Sequence, residues 1–143
     1  MRKFVLAMLA VGVLGGCATG GIRYADMRAT TTPKLQSGFG RIYFYRTGAM
    51  GFAVQPDIKI NGTTVGSAVP NGFFFVDRPP GTYEITATTE VEEKIHIKLL
   101  PGETQYVQFY LTLGLLVGHA NLNPVSKEKA EREMADLSQT GTH

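Results

Sequence analysis

The chain is poor in the residues that build the commonest chemical sites. Among 143 residues it has one cysteine, three histidines and no tryptophan. A single thiol excludes a disulfide framework within one chain and a cysteine-rich metal site. Charge is scarce as well: 18% of residues are charged and the formal net charge is +2. That is too little for a nucleic-acid footprint, so no nucleic-acid partner is expected. No apolar run reaches the ~20 residues of a spanning helix. Hydrophobic residues make up 43% of the chain and aromatics 10%, with 17 glycines and 7 prolines, and mean hydropathy is −0.01. Such a composition folds, as one domain with many turns.

The first segment has three parts. Met1-Arg2-Lys3 is basic, Phe4 to Leu14 is apolar apart from Gly12, and Gly15-Gly16-Cys17 follows. A basic start, a short apolar core and small residues form the layout of a cleaved secretory leader. Removing residues 1–16 takes Arg2 and Lys3 away and leaves 12 basic residues against 12 acidic ones. The sequence pI of 8.7 therefore owes much to a segment that is discarded.

Leu14-Gly15-Gly16-Cys17 resembles the lipobox of bacterial lipoproteins. The resemblance implies cleavage between Gly16 and Cys17, a diacylglycerol on the Cys17 thiol and an acyl chain on its freed amine. The plainer alternative is an ordinary cleaved leader with an incidental cysteine. Each buried methylene contributes ~0.8 kcal/mol, and two or more chains anchor stably, so the expected partner is a membrane and no other cofactor is expected. Ala18 stands where an Asp would resemble the inner-membrane retention signal of Gram-negative lipoproteins. The expected location is the outer membrane, facing the periplasm.

Beyond Cys17, residues 18–38 are rich in Thr, Gly and Ala, without a sustained period. They read as a tether, docked at most through Ile22, Tyr24 or Leu35. A flexible chain of ~20 residues spans about 25 Å. From residue 39 to 122 the pattern is that of strands. Arg41-Ile42-Tyr43-Phe44-Tyr45-Arg46 is dense in β-formers. Ile58 and Ile60 alternate before Asn61-Gly62, the pair that favours a type I′ hairpin turn. Phe73-Phe74-Phe75-Val76 follows, then three alternating segments carry Tyr83, Ile85 and Ala87, then Ile95, Ile97 and Leu99, then Val107, Phe109 and Leu111. Leu115 to Gly118 reads as a last edge strand. Turns fall roughly every ten residues, and no helix long enough for a parallel crossover lies between. The expected fold is mainly β: an antiparallel sandwich of about seven or eight strands.

Residues 123–138 read as one short C-terminal helix, with Asn123 as N-cap and Pro124 in the first turn. Ala130, Met134 and Leu137 form an apolar stripe. Residues 139–143 read as a frayed tail.

Gly40 to Arg46, Ile60-Asn61-Gly62, Asn71-Gly72-Phe73-Phe74-Phe75, Pro79-Pro80-Gly81-Thr82-Tyr83 and the closing helix occur in an order that resembles the bacterial lipoprotein family built on domain of unknown function 2846. The likeness spans roughly residues 38–138. The hairpin followed by a Pro-Gly turn also resembles small PEGA-type β domains. The family resemblance implies an immunoglobulin-like or transthyretin-like sandwich, and no catalytic positions.

The residues themselves show little chemistry. His96, His119 and His143 lack ligand spacing for zinc. Gly66-Ser67-Ala68 lacks the flanks of a nucleophile elbow. Glu90, Glu92 and Glu93 fall at a strand turn, where a solvated cluster is commonest. Asn61-Gly62-Thr63 matches a glycosylation sequon that the turn already explains. The feature above background is aromatic. Tyr43 and Tyr45 alternate opposite Ile42 and Phe44, and Tyr106 and Tyr110 opposite Val107 and Phe109. If those strands are neighbours, the four rings share one sheet face. They are then an interaction surface, or a second small core under the C-terminal helix or the tether.

Three readings follow. The leading one is a lipid-tethered, non-enzymatic envelope module that binds a protein or polymer partner. The second is a small envelope hydrolase or ligand carrier whose polar groups converge only in space. The third is a structural lipoprotein that supports envelope integrity.

Overall fold

Asn61 and Gly62 adopt φ of 49° and 82°, the left-handed pair a type I′ turn requires. The two strands they join are the first hairpin of a two-sheet structure. The computed structural model describes residues 20–116 and 118–143. The leader, the Gly16–Cys17 junction and Cys17 itself lie outside the described residues.

In chain order the elements are α1 (Tyr24–Thr30), β1 (Gly40–Arg46), β2 (Asp57–Ile60), β3 (Thr63–Ser67), β4 (Gly72–Arg78), β5 (Gly81–Thr88), β6 (Glu92–Leu99), β7 (Thr104–Thr112), β8 (His119–Val125), α2 (Lys127–Met134) and β9 (Ser138–Gln139). Five strands form one sheet in the order β8-β7-β1-β4-β9, and four form the other in the order β3-β2-β5-β6. The fold is a mainly β sandwich.

Most neighbours are antiparallel, but β1 runs parallel to β7 and β4 parallel to β9. A parallel pair needs a long crossover. Here the crossover between β1 and β7 is the excursion through the second sheet, so no helix is required. The lack of a crossover helix excludes a parallel sheet but not these two parallel pairs.

The main core lies between the sheets. Ile42, Phe44, Phe74, Val107 and Phe109 meet Ile58, Ile60, Val65, Ile85, Ile97 and Leu99. Packing is close enough that a Cβ on Gly66 would lie 2.6 Å from the Phe74 ring, so the strand needs glycine there. A second core sits on the other face of the five-stranded sheet, under α1 and α2. It consists of Tyr24 and Met27 from α1, Ala130 and Met134 from α2, Leu137, and Tyr43, Tyr45, Phe73 and Tyr106 from the sheet. Every residue of β1 is consequently buried.

Several boundaries differ from those the sequence suggests. Residues 18–38 are not simply a tether: α1 docks through Tyr24 and Met27, 3% and 1% exposed, while Ile22 stays 38% exposed and Leu35 half-buried. Seven residues are too few to show a period, and such a helix exists only by tertiary packing. Leu115 and Leu116 form no strand. The strand comes later, as β8, and runs through Asn123 and Pro124 to Val125. Proline is tolerated there because β8 is a sheet edge. The helix N-cap is instead Ser126, whose hydroxyl accepts the Lys129 N–H at 3.3 Å. Nor do residues 139–143 simply fray. Ser138 and Gln139 pair with β4, Thr140 N–H donates to the Phe73 carbonyl, and His143 N–H donates to the Val65 carbonyl.

Candidate functional site

Alternation along β1 and β7 sends Tyr43, Tyr45 and Tyr106 to the face opposite the main core, and parallel pairing sets Tyr43 beside Tyr106. Their rings stack at 5.4 Å and 9°. Tyr24 meets Tyr43 edge-on at 5.7 Å and Phe73 edge-on at 5.3 Å. Such pairs add about 1 kcal/mol each beyond their burial.

Tyr43, Tyr45 and Tyr106 are therefore not an open interaction surface. They are 4%, 2% and 5% exposed, because α1 and α2 cover them. Tyr110 lies further along β7, outside that second core, and is 39% exposed. Of the four rings the sequence groups together, the fold gathers three and adds Tyr24.

The phenol tips lead to polar partners. Tyr45 donates to Glu133 at 2.6 Å, Gln108 Nε2 donates to the same carboxylate at 3.1 Å, and Lys129 Nζ donates to Gln108 at 3.2 Å. Burial, reinforced by the Glu133 carboxylate, pushes the Tyr45 hydroxyl well above the usual phenol range. Burial does the same to Tyr24, with its neighbours Tyr106 and Tyr43 adding to it, and raises Tyr106 as well. These hydroxyls stay protonated at neutral pH. The Tyr45 hydroxyl serves as a hydrogen-bond donor to Glu133.

Between α1, α2 and the sheet a cleft of about 210 Å³ remains. Its cations are Arg28, Arg41 and Lys127, and its lining carboxylate is Glu131. Arg28 pairs with Glu131 and lies over the Tyr24 ring, and Lys127 stands 3.9 Å from Glu131. Arg41 is held in the wall. It donates to both Asp77 oxygens at 2.6 and 2.8 Å, and its guanidinium lies 4.2 Å from the Phe75 ring centre. The bond to Asp77 raises its pKa further. The cleft thus offers cationic groups and phenol hydroxyls, the donors that recognise a carboxylate or phosphate. Sequence reasoning missed it, because its lining comes from positions between Tyr24 and Glu131. The one local signal is Arg41 at the start of the β1 apolar run, which lines the cleft.

The other arginine of that strand, Arg46, is 2% exposed. It donates to the carbonyls of Met50, Gly51, Val54 and Ala68 at 2.5 to 3.0 Å. Burial lowers its pKa. It fixes the β1–β2 loop.

The remaining candidates stand apart from the cleft. His96 lies on the open face of β6, 3.6 Å from Glu84, and His119 lies 3.7 Å from Glu90 at one end of the sandwich. Glu90 is engaged with the backbone N–H groups of Leu115, Leu116 and Gly118. Glu92 is 3.9 Å from Lys94. Ser67 donates to Asp57 at 3.1 Å. The Asn61 side chain accepts the Glu84 N–H at 2.9 Å, which ties the turn to β5. Among the described residues no three His, Cys, Asp or Glu come together as a metal cluster.

Comparison with known proteins gives three findings. The family model described as "Protein of unknown function (DUF2846)" matches residues 36–120. An uncharacterised protein of Haemophilus influenzae is 27% identical over 136 residues, covering 92% of this chain and 80% of that protein. The N-terminal domain of AlgF from P. aeruginosa aligns with a TM-score of 0.41 at 18% identity, over 65% of this chain and all of that domain. The matched span runs from the end of the α1–β1 connection to the start of β8, more than half of the chain. The chain therefore belongs to the DUF2846 family.

Proposed function

We propose that the chain is a lipid-anchored protein of the bacterial envelope, a non-enzymatic β-sandwich that holds a partner bearing an anionic group. The observation that carries this reading is the position of the single cysteine, directly after a basic start, an apolar core and two glycines. Acyl chains on Cys17 would hold the domain at a bilayer without a spanning helix. Among the described residues no helix is long and apolar enough to cross a membrane. The absence of Asp at position 18 favours the outer membrane, with the domain in the periplasm. The helix-capped cleft supports the binding role: its cations and phenol hydroxyls suit an anion.

In-cell crosslinking tests this reading. A photo-crosslinking residue at Thr104, exposed at the cleft, should give a discrete adduct with an envelope component in the membrane fraction. Lys127→Glu should abolish that adduct, and Cys17→Ser should leave the chain unprocessed. An adduct unaffected by Lys127→Glu would remove the cleft from the account. A Cys17→Ser chain cleaved and membrane-bound like the original would remove the anchor.

A further inference from the structure

Two loops at one end of the sandwich expose large apolar side chains. Met50 and Phe52, between β1 and β2, are each 71% exposed, and Leu113, Leu115 and Leu116, after β7, are 90–95% exposed. Single exposed leucines need no explanation, but five large apolar groups on adjoining loops mark a contact surface. The loops do adjoin: Met50 and Gly51 line one cavity with Leu113 and Leu116. Both are also held. Arg46 binds the Met50 and Gly51 carbonyls, and Glu90 accepts the N–H groups of Leu115 and Leu116. The backbone is fixed while the side chains point outward.

The position of the first described residues bears on what covers them. Arg46 pairs with Gly72 and Phe109, and Gly72 pairs with Ser138, so β1 and β7 end where β4 and β9 begin. Gly20 and Gly21, the first described residues, line a cavity with Asn71 and Gln139 at this same end. Asn71 Oδ1 accepts the N–H of Gly48, at the base of the first apolar loop. Three peptide units separate Gly20 from Cys17, a reach of at most about 10 Å. Residues 47–56 and 113–116 carry no charge, which fits hydrocarbon and not a charged partner.

We propose that this apolar end is a second membrane contact, in which Met50, Phe52, Leu113, Leu115 and Leu116 insert into the same bilayer surface that the acyl chains on Cys17 enter. The inference rests on the lipid-anchor reading and deepens it. The domain stands end-on against the lipid instead of swinging clear of it, and the cleft under the helices is held at a fixed height above the surface.

The chain has no tryptophan, so one introduced indole reports its own surroundings. The full chain, purified from membranes in detergent, is reconstituted into vesicles of phosphatidylethanolamine and phosphatidylglycerol carrying brominated acyl chains. Leu115→Trp and Phe52→Trp should emit at shorter wavelength and be quenched several-fold more than Leu100→Trp, a half-exposed site at the β6–β7 turn of the opposite end. High salt should not change this. Equal quenching at all three sites would overturn the proposal. A blue shift without quenching would overturn it too, by showing that protein covers the loops, either a second copy or the chain's own leader. Intact mass of the same samples reports the anchor separately. An acylated, unquenched chain refutes only the insertion, and an unacylated, quenched chain refutes only the anchor.

Discussion

Ile42 and Phe44 point from β1 into the space between the sheets, while Tyr43 and Tyr45 point from the same strand toward two short helices. Both faces are buried. The first is closed by a four-stranded sheet that brings its own row of isoleucines. The second is closed by fifteen helical residues, seven in α1 and eight in α2. Those helices leave gaps, and the gaps are where the Tyr45 hydroxyl reaches Glu133 and where the cationic cleft opens. A sheet covers completely and supplies stability. Short helices cover less completely and leave a cleft with polar lining.

Mutations on the two faces should separate these roles. The largest effect is expected at Phe44, which is fully buried between the sheets. Phe44→Ala should cost about 4 kcal/mol, seen as loss of the whole thermal transition or a large fall in Tm. If only the helical signal weakened while the sheet persisted, the two cores would fold independently and the comparison would fail. On the helix side, Tyr45→Phe removes one hydrogen bond to a carboxylate and should cost about 2 kcal/mol with the fold intact.

The same phenol predicts a pH dependence. Its folded pKa is raised, so its contribution is fully present below the unfolded value of about 10. As pH rises beyond that, the unfolded chain releases a proton the folded chain retains, and stability falls. Denaturant titrations should show that alkaline decline, and Tyr45→Phe should make it shallower. The smallest effect is expected on the outer face of the second sheet, where Lys98 is exposed. Lys98→Ala should stay within about 0.5 kcal/mol, and a larger change would show that this face is not free.

The sheet side of this comparison was readable from the residues. Asn61-Gly62 marks its hairpin, and the alternation of Ile85 with Ala87 and of Ile97 with Leu99 marks the inward rows. The stripe of Ala130, Met134 and Leu137 correctly marks an apolar face near the C-terminus. A second core under the C-terminal helix or the segment before β1 is one of the two readings the tyrosines allow, and it is the one found; the detail of that cover is not legible. α1 is too short to have a period, Pro124 hides β8, and the parallel pairing of β1 with β7 depends on the path of the intervening strands. The cleft was hidden for the same reason: Arg28, Arg41 and Lys127 become neighbours only after both helices dock. Arg46 reads as an ordinary strand-end charge until its four carbonyl partners are placed around it.

The most direct test of the anchored module is the intact mass of the chain extracted from native membranes. The account predicts a polypeptide that begins at Cys17 and carries a diacylglycerol and one further acyl chain. A chain that retains residues 1–16, or that begins at Cys17 with no added lipid, would contradict it.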